Sequence, residues 1–162
     1  MEFEEYVGSR GRALERYAYV LCGDAHLAQD LTQTALVKAY RRWSWVVRAD
    51  HPDLYVRRVL TTSYLDWVRR RSNAERPSEA LPEPESGADP AAVAVVRDQL
   101  RRALTSLTPQ QRAVLVLRHY EAYDDETIAS LLGCSTGTVR THASRGLQRL
   151  RDHLTADDGE MP

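Results

Sequence analysis

The sequence predicts an all-α protein: two small helical domains joined by a flexible acidic linker, the second carrying a helix-turn-helix. Three observations predict this. Apolar residues recur at spacings of three and four along most of the chain, the period of a helix with one buried face. Residues 73–91, NAERPSEALPEPESGADPA, hold four prolines and five acids with almost no large apolar group, the composition of a disordered tether. Asp124 to Leu150 then reads as two helices around a tight turn.

The first helix is expected over residues 3–22, with Phe3, Val7, Leu14, Tyr17, Ala18 and Leu21 as its apolar positions. Gly8 and Gly11 weaken it, so its start is expected to fray. Gly23-Asp24 breaks and re-caps the chain. The second helix is expected from Ala25 to Val47, with Leu27, Leu31, Ala35, Ala39 and Trp43 along one face. Gln29, Gln33, Lys38, Arg41 and Arg42 lie on the opposite face. Residues 48–53 form a loop, and Pro52 suits a first helical position. A third helix runs to Arg71, with Val56, Val59, Leu60, Ser63 and Trp67 inward and three arginines at its negative end.

Between Tyr40 and Arg71, the rings of Tyr40, Trp43, Trp45, Tyr55, Tyr64 and Trp67 are interleaved with Arg41, Arg42, Arg48, Arg57 and Arg58. Rings beside cations form the surface on which unstacked single-strand bases lie. The same rings serve equally as the core of a small helical domain, and the pattern leaves both readings open.

Beyond the linker a helix with Val93, Val96, Leu100, Ala103, Leu104 and Leu107 as its stripe is expected. Thr108-Pro109-Gln110-Gln111 is a capping box with proline at the first helical position. The following AVLVLRHY is apolar nearly all round and reads as the central buried helix. Asp124 supplies an N-cap oxygen, while Asp125 and Glu126 suit the positive end of the next helix. Gly133 ends that helix, and Ser135 caps the one after it. On a wheel of 100° per residue, Val139, Ala143, Gly146 and Leu150 share an inner arc. Thr141, Ser144, Arg145 and Gln148 share the outer arc, flanked by Arg140 and His142. That outer face carries hydroxyls and guanidinium groups and no acid, which suits a helix laid in the major groove.

The expected organisation is therefore a domain over residues 1–72, a linker over 73–91, a second domain over 92–154 and an acidic frayed tail over 155–162. The net charge of −1 conceals this plan, because residues 1–72 carry +3, 73–96 carry −4, 97–154 carry +3 and 155–162 carry −3. Two basic blocks are separated and trailed by acid, a distribution compatible with nucleic-acid partners.

Other classes find little support. The N-terminus, MEFEEYVGSR, is acidic and does not read as a signal peptide. No apolar run approaches ~18 residues, so no membrane insertion is expected and the cytoplasm is. Cys22 and Cys134 suggest no disulfide framework. Cys22 and His26 have i,i+4 spacing but lack two further clustered ligands, so no metal is expected. No glycine-rich phosphate loop, HExxH or G-x-S-x-G is present, and neither a cofactor nor catalysis is expected.

The stretch LTPQQRAVLVLRHYEAYDDETIASLLGCSTGTVRTHASRGLQRLR resembles the C-terminal promoter-binding domain of extracytoplasmic-function (ECF) sigma factors of the sigma-70 family. GDAHLAQDLTQTALVKAYRRW resembles the core-polymerase-binding helix of their N-terminal domain. YVRRVLTTSYLDWVRRR resembles the segment that reads and melts the −10 element. The likeness covers roughly 1–72 and 93–154 and is closest to an actinobacterial branch.

The resemblance implies that the chain binds core RNA polymerase and directs promoter-specific initiation. It implies core RNA polymerase and promoter DNA as partners and leaves an anti-sigma factor open as a third. It places Arg140, Thr141, Ser144 and Arg145 on the −35 element. Trp43, Arg57, Arg58, Asp66 and Trp67 fall in the segments for strand separation and −10 capture. Asp30, Leu31 and Gln33 fall on the face that docks the clamp coiled coil of the polymerase. The chain departs from the family pattern at Thr34, at Thr61-Thr62 and at His142. The competing reading is a stand-alone LuxR-like helix-turn-helix regulator, with residues 1–72 as a sensor or dimerisation domain.

Overall fold

A computed structural model describes residues 1–49, 51–74 and 91–159, with the side chains of residues 91–96 undescribed. The described residues form α-helices, one π-helical turn and their connections, in agreement with the all-α expectation. The chain divides into two compact units, Met1–Glu83 and Pro84–Pro162. Most of the expected linker, residues 75–90, lies outside the described residues.

Unit 1 contains α1 (Phe3–Cys22), α2 (Ala25–Arg41), α3 (Trp43–Ala49) and α4 (Pro52–Asn73). The start of α1 is helical from Phe3, where fraying was expected. Long-range contacts hold it: the Tyr6 hydroxyl donates to Asp53 Oδ1 at 2.9 Å, and Phe3 packs edge-on against Tyr40 and Trp43. Gly23 closes α1 at φ 75°. The Asp24 carboxylate then accepts from the backbone of His26 at 2.8 Å and Leu27 at 3.0 Å, capping α2.

Two expectations for unit 1 are corrected. The helix expected to run to Val47 ends at Arg41, because Arg42 leaves helical geometry at φ −121°, ψ 24° and α3 begins anew. The break lets Trp43 turn onto Phe3 of α1, with Nε1 donating to the Met1 carbonyl just before that helix at 3.0 Å. The inward face of α4 is Val56, Arg57, Leu60, Thr61 and Tyr64, not the stripe through Val59, Ser63 and Trp67. Two polar positions belong to that face because α1 offers them partners. Tyr17 Oη and Thr61 Oγ1 share a hydrogen bond of 2.6 Å, and the Arg57 guanidinium lies over the Tyr17 ring at 5.8 Å.

Unit 2 contains α5 (Ala91–Thr105), α6 (Pro109–Leu115), a π turn (Val116–Tyr120), α7 (Asp125–Leu132) and α8 (Thr136–Gly159). The capping box at Thr108 and Gln111 is present in both directions. Of the stretch expected as the central buried helix, Ala113 to Leu117 are buried, whereas Arg118 is half-buried and His119 and Tyr120 are exposed. That helix widens into the π turn, and Glu121 N–H donates to Val116 O at 3.1 Å. α6 and α8 approach closely at Gly146, where an added Cβ would stand 2.8 Å from Leu115 Cδ1. Residues 155–159, expected as tail, continue α8. The Thr155 hydroxyl donates to Arg151 O at 2.7 Å, and His153 and Asp157 pair at i,i+4. Residues 160–162 lie outside the described residues.

Candidate nucleic-acid interface

The helix-turn-helix is built from short-range signals. Asp124 Oδ1 accepts from Thr127 N–H at 2.8 Å and caps α7. Hydrogen bonds from the Thr127 hydroxyl and backbone hold the Asp124 carboxyl below its ordinary range. Gly133 closes α7 at φ 69°, a left-handed conformation costly for a residue with a Cβ. Cys134 sits half-buried in the turn, where burial pushes its thiol pKa up. Ser135 Oγ accepts from Thr138 N–H at 3.1 Å and caps α8. Ile128 and Ala129 of α7 and Val139 and Ala143 of α8 are buried at or below 6 % exposure, and α7 packs on α8.

With that packing, the outer face of α8 is left to solvent. Arg140, Thr141, Ser144 and Arg145 are all exposed and Gln148 stands beside them, while Val139, Ala143 and Gly146 are buried. The arc expected for Thr141, Ser144, Arg145 and Gln148 is exposed, with Arg140 on its flank. The Thr141 hydroxyl donates to Gly137 O at 3.0 Å. Arg145 makes no ion pair among the described residues. Arg140 Nε lies 3.8 Å from Asp125 Oδ2, which also accepts from Arg118 Nη2 at 3.1 Å. Arg118 and the side-chain pairing of Asp125 lie beyond the sequence reading, in which Asp125 is a dipole group alone. No periodicity links positions 118, 125 and 140, so the chain carries no local signal for them.

In unit 1 the expected site residues separate into two sets. Asp30 and Gln33 are exposed on α2, but Leu31 is 6 % exposed and belongs to the core. Its expected place on a docking face is corrected: Leu31 turns inward with Ala28, Thr32 and Ala35, one helical turn apart. Arg57 is 7 % exposed, and its Nη1 stands 3.7 Å from Asp53 Oδ1. Trp43 is half-buried, its ring 5.3 Å from Phe3 and 5.2 Å from Tyr6. Both residues face α1 rather than solvent. Arg58 and Asp66 are exposed, and Asp66 accepts from Arg69 at 2.6 Å. Trp67 is half-exposed beneath the Arg71 guanidinium, 5.1 Å from its ring centre. Tyr40 and Trp45 are more exposed than the reading of either as core allows, at 61 % and 55 %.

Among the described residues no three His, Cys, Asp or Glu side chains cluster as metal ligands, and no helix is long and apolar enough to cross a membrane.

Two family models match these two units. Residues 7–74 match sigma-70 region 2, and residues 97–150 match sigma-70 region 4. The RNA polymerase sigma-E factor of Streptomyces coelicolor is 43% identical over 158 residues, covering 98% of this chain and 89% of that protein. The chain belongs to the ECF sigma factors of the sigma-70 family. It is accordingly a transcription factor that directs promoter-specific initiation. The ECF sigma factor SigE of Mycolicibacterium smegmatis is 35% identical over 98% of this chain and 63% of its own length. A sigma factor of Bartonella quintana, solved in complex with the anti-sigma factor NepR, shares the fold. Its TM-score is 0.73 at 22% identity, covering 96% of this chain and 98% of that one. The LuxR-like alternative is not favoured, because the region it assigned to a sensor or dimerisation domain matches sigma-70 region 2.

Proposed function

We propose that the two units divide promoter recognition. Residues 92–154 read the −35 element through the outer face of α8. Residues 1–72 dock core RNA polymerase through α2 and take the −10 element on α4. The observation that carries the proposal is the partition of α8 into a buried apolar arc and an exposed arc of Arg140, Thr141, Ser144 and Arg145. A helix divided in this way can enter a major groove without losing its own packing.

Arg145, with no competing carboxylate, is assigned to a base edge, where a bidentate contact discriminates by about 1–3 kcal/mol. Arg140, on the flank, is assigned to phosphate positioning, which carries no sequence information directly. On α2, Asp30 and Gln33 are the docking groups and Leu31 supports them from the core. On α4, the exposed Arg58 and Asp66 and the half-exposed Trp67 are assigned to −10 capture. Arg57 ties α4 to Tyr17 of α1, and Trp43 packs on Phe3 and Tyr6 of α1. An anti-sigma factor is proposed as a third partner, supported by the complex in which the Bartonella quintana protein of this fold was solved.

Run-off transcription with core polymerase on a set of −35 variants tests the reading. Arg145→Ala is expected to flatten discrimination among variants by about tenfold, while Arg140→Ala weakens all of them more evenly and lowers the salt dependence. Unchanged selectivity in a folded Arg145→Ala protein would overturn the assignment of this face.

A further inference from the structure

We propose that Asp125 is a positioning residue for promoter recognition, holding Arg140 of the recognition helix to Arg118 of the π turn through one carboxylate oxygen. This rests on the assignment of Arg140 to DNA phosphate and deepens it. Asp125 stands at the first position of α7, where an acid ordinarily serves the helix dipole from solvent. Here its side chain is only 22% exposed, and Oδ2 faces two guanidinium groups from two other elements. Arg118 is hydrogen-bonded to it at 3.1 Å. Arg140 lies at 3.8 Å, an ion pair beyond hydrogen-bond reach, and remains 69% exposed. The second oxygen, Oδ1, is buried with no hydrogen-bond partner. A carboxylate with one desolvated oxygen depends on its cationic neighbours for compensation, which strengthens its hold on both arginines.

Arg140 is affected in two ways. The ion pair runs through Nε, which leaves the two terminal amino groups for a ligand. The nearby negative charge also offsets part of the Arg140 charge, so a phosphate in the wrong register gains less from it. A phosphate in the right register meets a guanidinium already oriented. Asp125 thereby trades general attraction to DNA for placement of the helix on its site.

The experiment uses the full chain assembled with core polymerase, measuring affinity for a cognate promoter and for the same fragment with a scrambled −35 element, across a salt series. Asp125→Asn, which keeps size and the cap geometry, is expected to strengthen binding to the scrambled fragment by about threefold, the scale of one exposed ion pair. It should also narrow the cognate preference and steepen the salt dependence. In an Arg140→Ala background the same substitution is expected to change none of these. An Asp125→Asn effect that persists without Arg140, or no effect in either background, would overturn the positioning role. If Arg140→Ala by itself leaves DNA binding and its salt dependence intact, the reading of the α8 face fails instead.

Discussion

Arg57 and Arg58 are adjacent in sequence and lead opposite lives. The Arg57 side chain is 8% exposed and faces the Asp53 carboxylate, while Arg58 is exposed on α4. Removing Arg57 takes from Asp53 one of two arginine neighbours, Arg10 at 3.6 Å being the other, and empties a buried site over the Tyr17 ring. Arg57→Ala is therefore expected to destabilise unit 1 by about 3 kcal/mol, and Arg58→Ala by less than about 0.5 kcal/mol. All three tryptophans, Trp43, Trp45 and Trp67, lie in unit 1, so tryptophan fluorescence in a urea titration reports that unit. Equal midpoints for the two variants would contradict the buried role.

Tyr6 extends the same cluster. Burial first, and then the negative charge of Asp53, push its phenol well above the ordinary tyrosine range. The fold thus favours the protonated phenol, and its contribution is complete below the unfolded value of about 10. Above that pH the unfolded chain ionises first and stability falls. Tyr6→Phe is expected to cost about 1 kcal/mol at neutral pH and to make the alkaline fall shallower. An unchanged alkaline slope would show that Tyr6 is not the group responsible.

At the scale of elements, two helical glycines separate propensity from packing. Gly8 lies mid-helix in α1 with nothing within 4 Å of the place a Cβ would take, whereas a Cβ at Gly146 would meet Leu115 Cδ1 at 2.8 Å and Gln111 Cβ at 3.4 Å. Gly8→Ala is expected to stabilise by about 0.5–1 kcal/mol, since only backbone entropy is at stake. Gly146→Ala gains the same propensity but overpacks the α6–α8 crossing, which costs about 1–3 kcal/mol, and a net loss is expected. Thermal unfolding followed by circular dichroism compares them, and stabilisation by both would mean the crossing yields freely. The π turn belongs to this scale as well: the extra residue in its turn carries the chain from the buried α6 to Arg118, which meets Asp125 of α7.

At the scale of the whole molecule, basic blocks of +3 are offset by an acidic segment of −4 and a tail of −3. A net charge of −1 gives weak general attraction to DNA, so promoter recognition falls to particular contacts and to the polymerase that presents them. Asp30 and Gln33 are exposed on α2. Replacing both with alanine is expected to shift stability by less than about 0.5 kcal/mol while weakening binding to core polymerase. Wild-type affinity in a competition assay for core enzyme would refute the docking face.

What the sequence by itself determined is whatever is encoded within a few residues. The Thr108–Gln111 capping box, the Asp124, Gly133 and Ser135 signals and the two arcs of α8 are legible because partners lie within one or two helical turns. The four residues expected on the outer arc of α8 share it, because its inner arc is apolar and unambiguous. Tertiary structure decided the rest. The inner face of α4 includes Arg57 and Thr61, so hydrophobic periodicity finds Val56 and Leu60 but not the polar residues beside them. Those positions turn inward because α1, forty or more residues away in sequence, supplies Tyr17 as a partner to both. Trp43 leaves the line of α2 for the same reason. Asp125 acquires its second role only when the π turn and α8 bring Arg118 and Arg140 to one oxygen, because an ion pair between distant elements leaves no period in the chain.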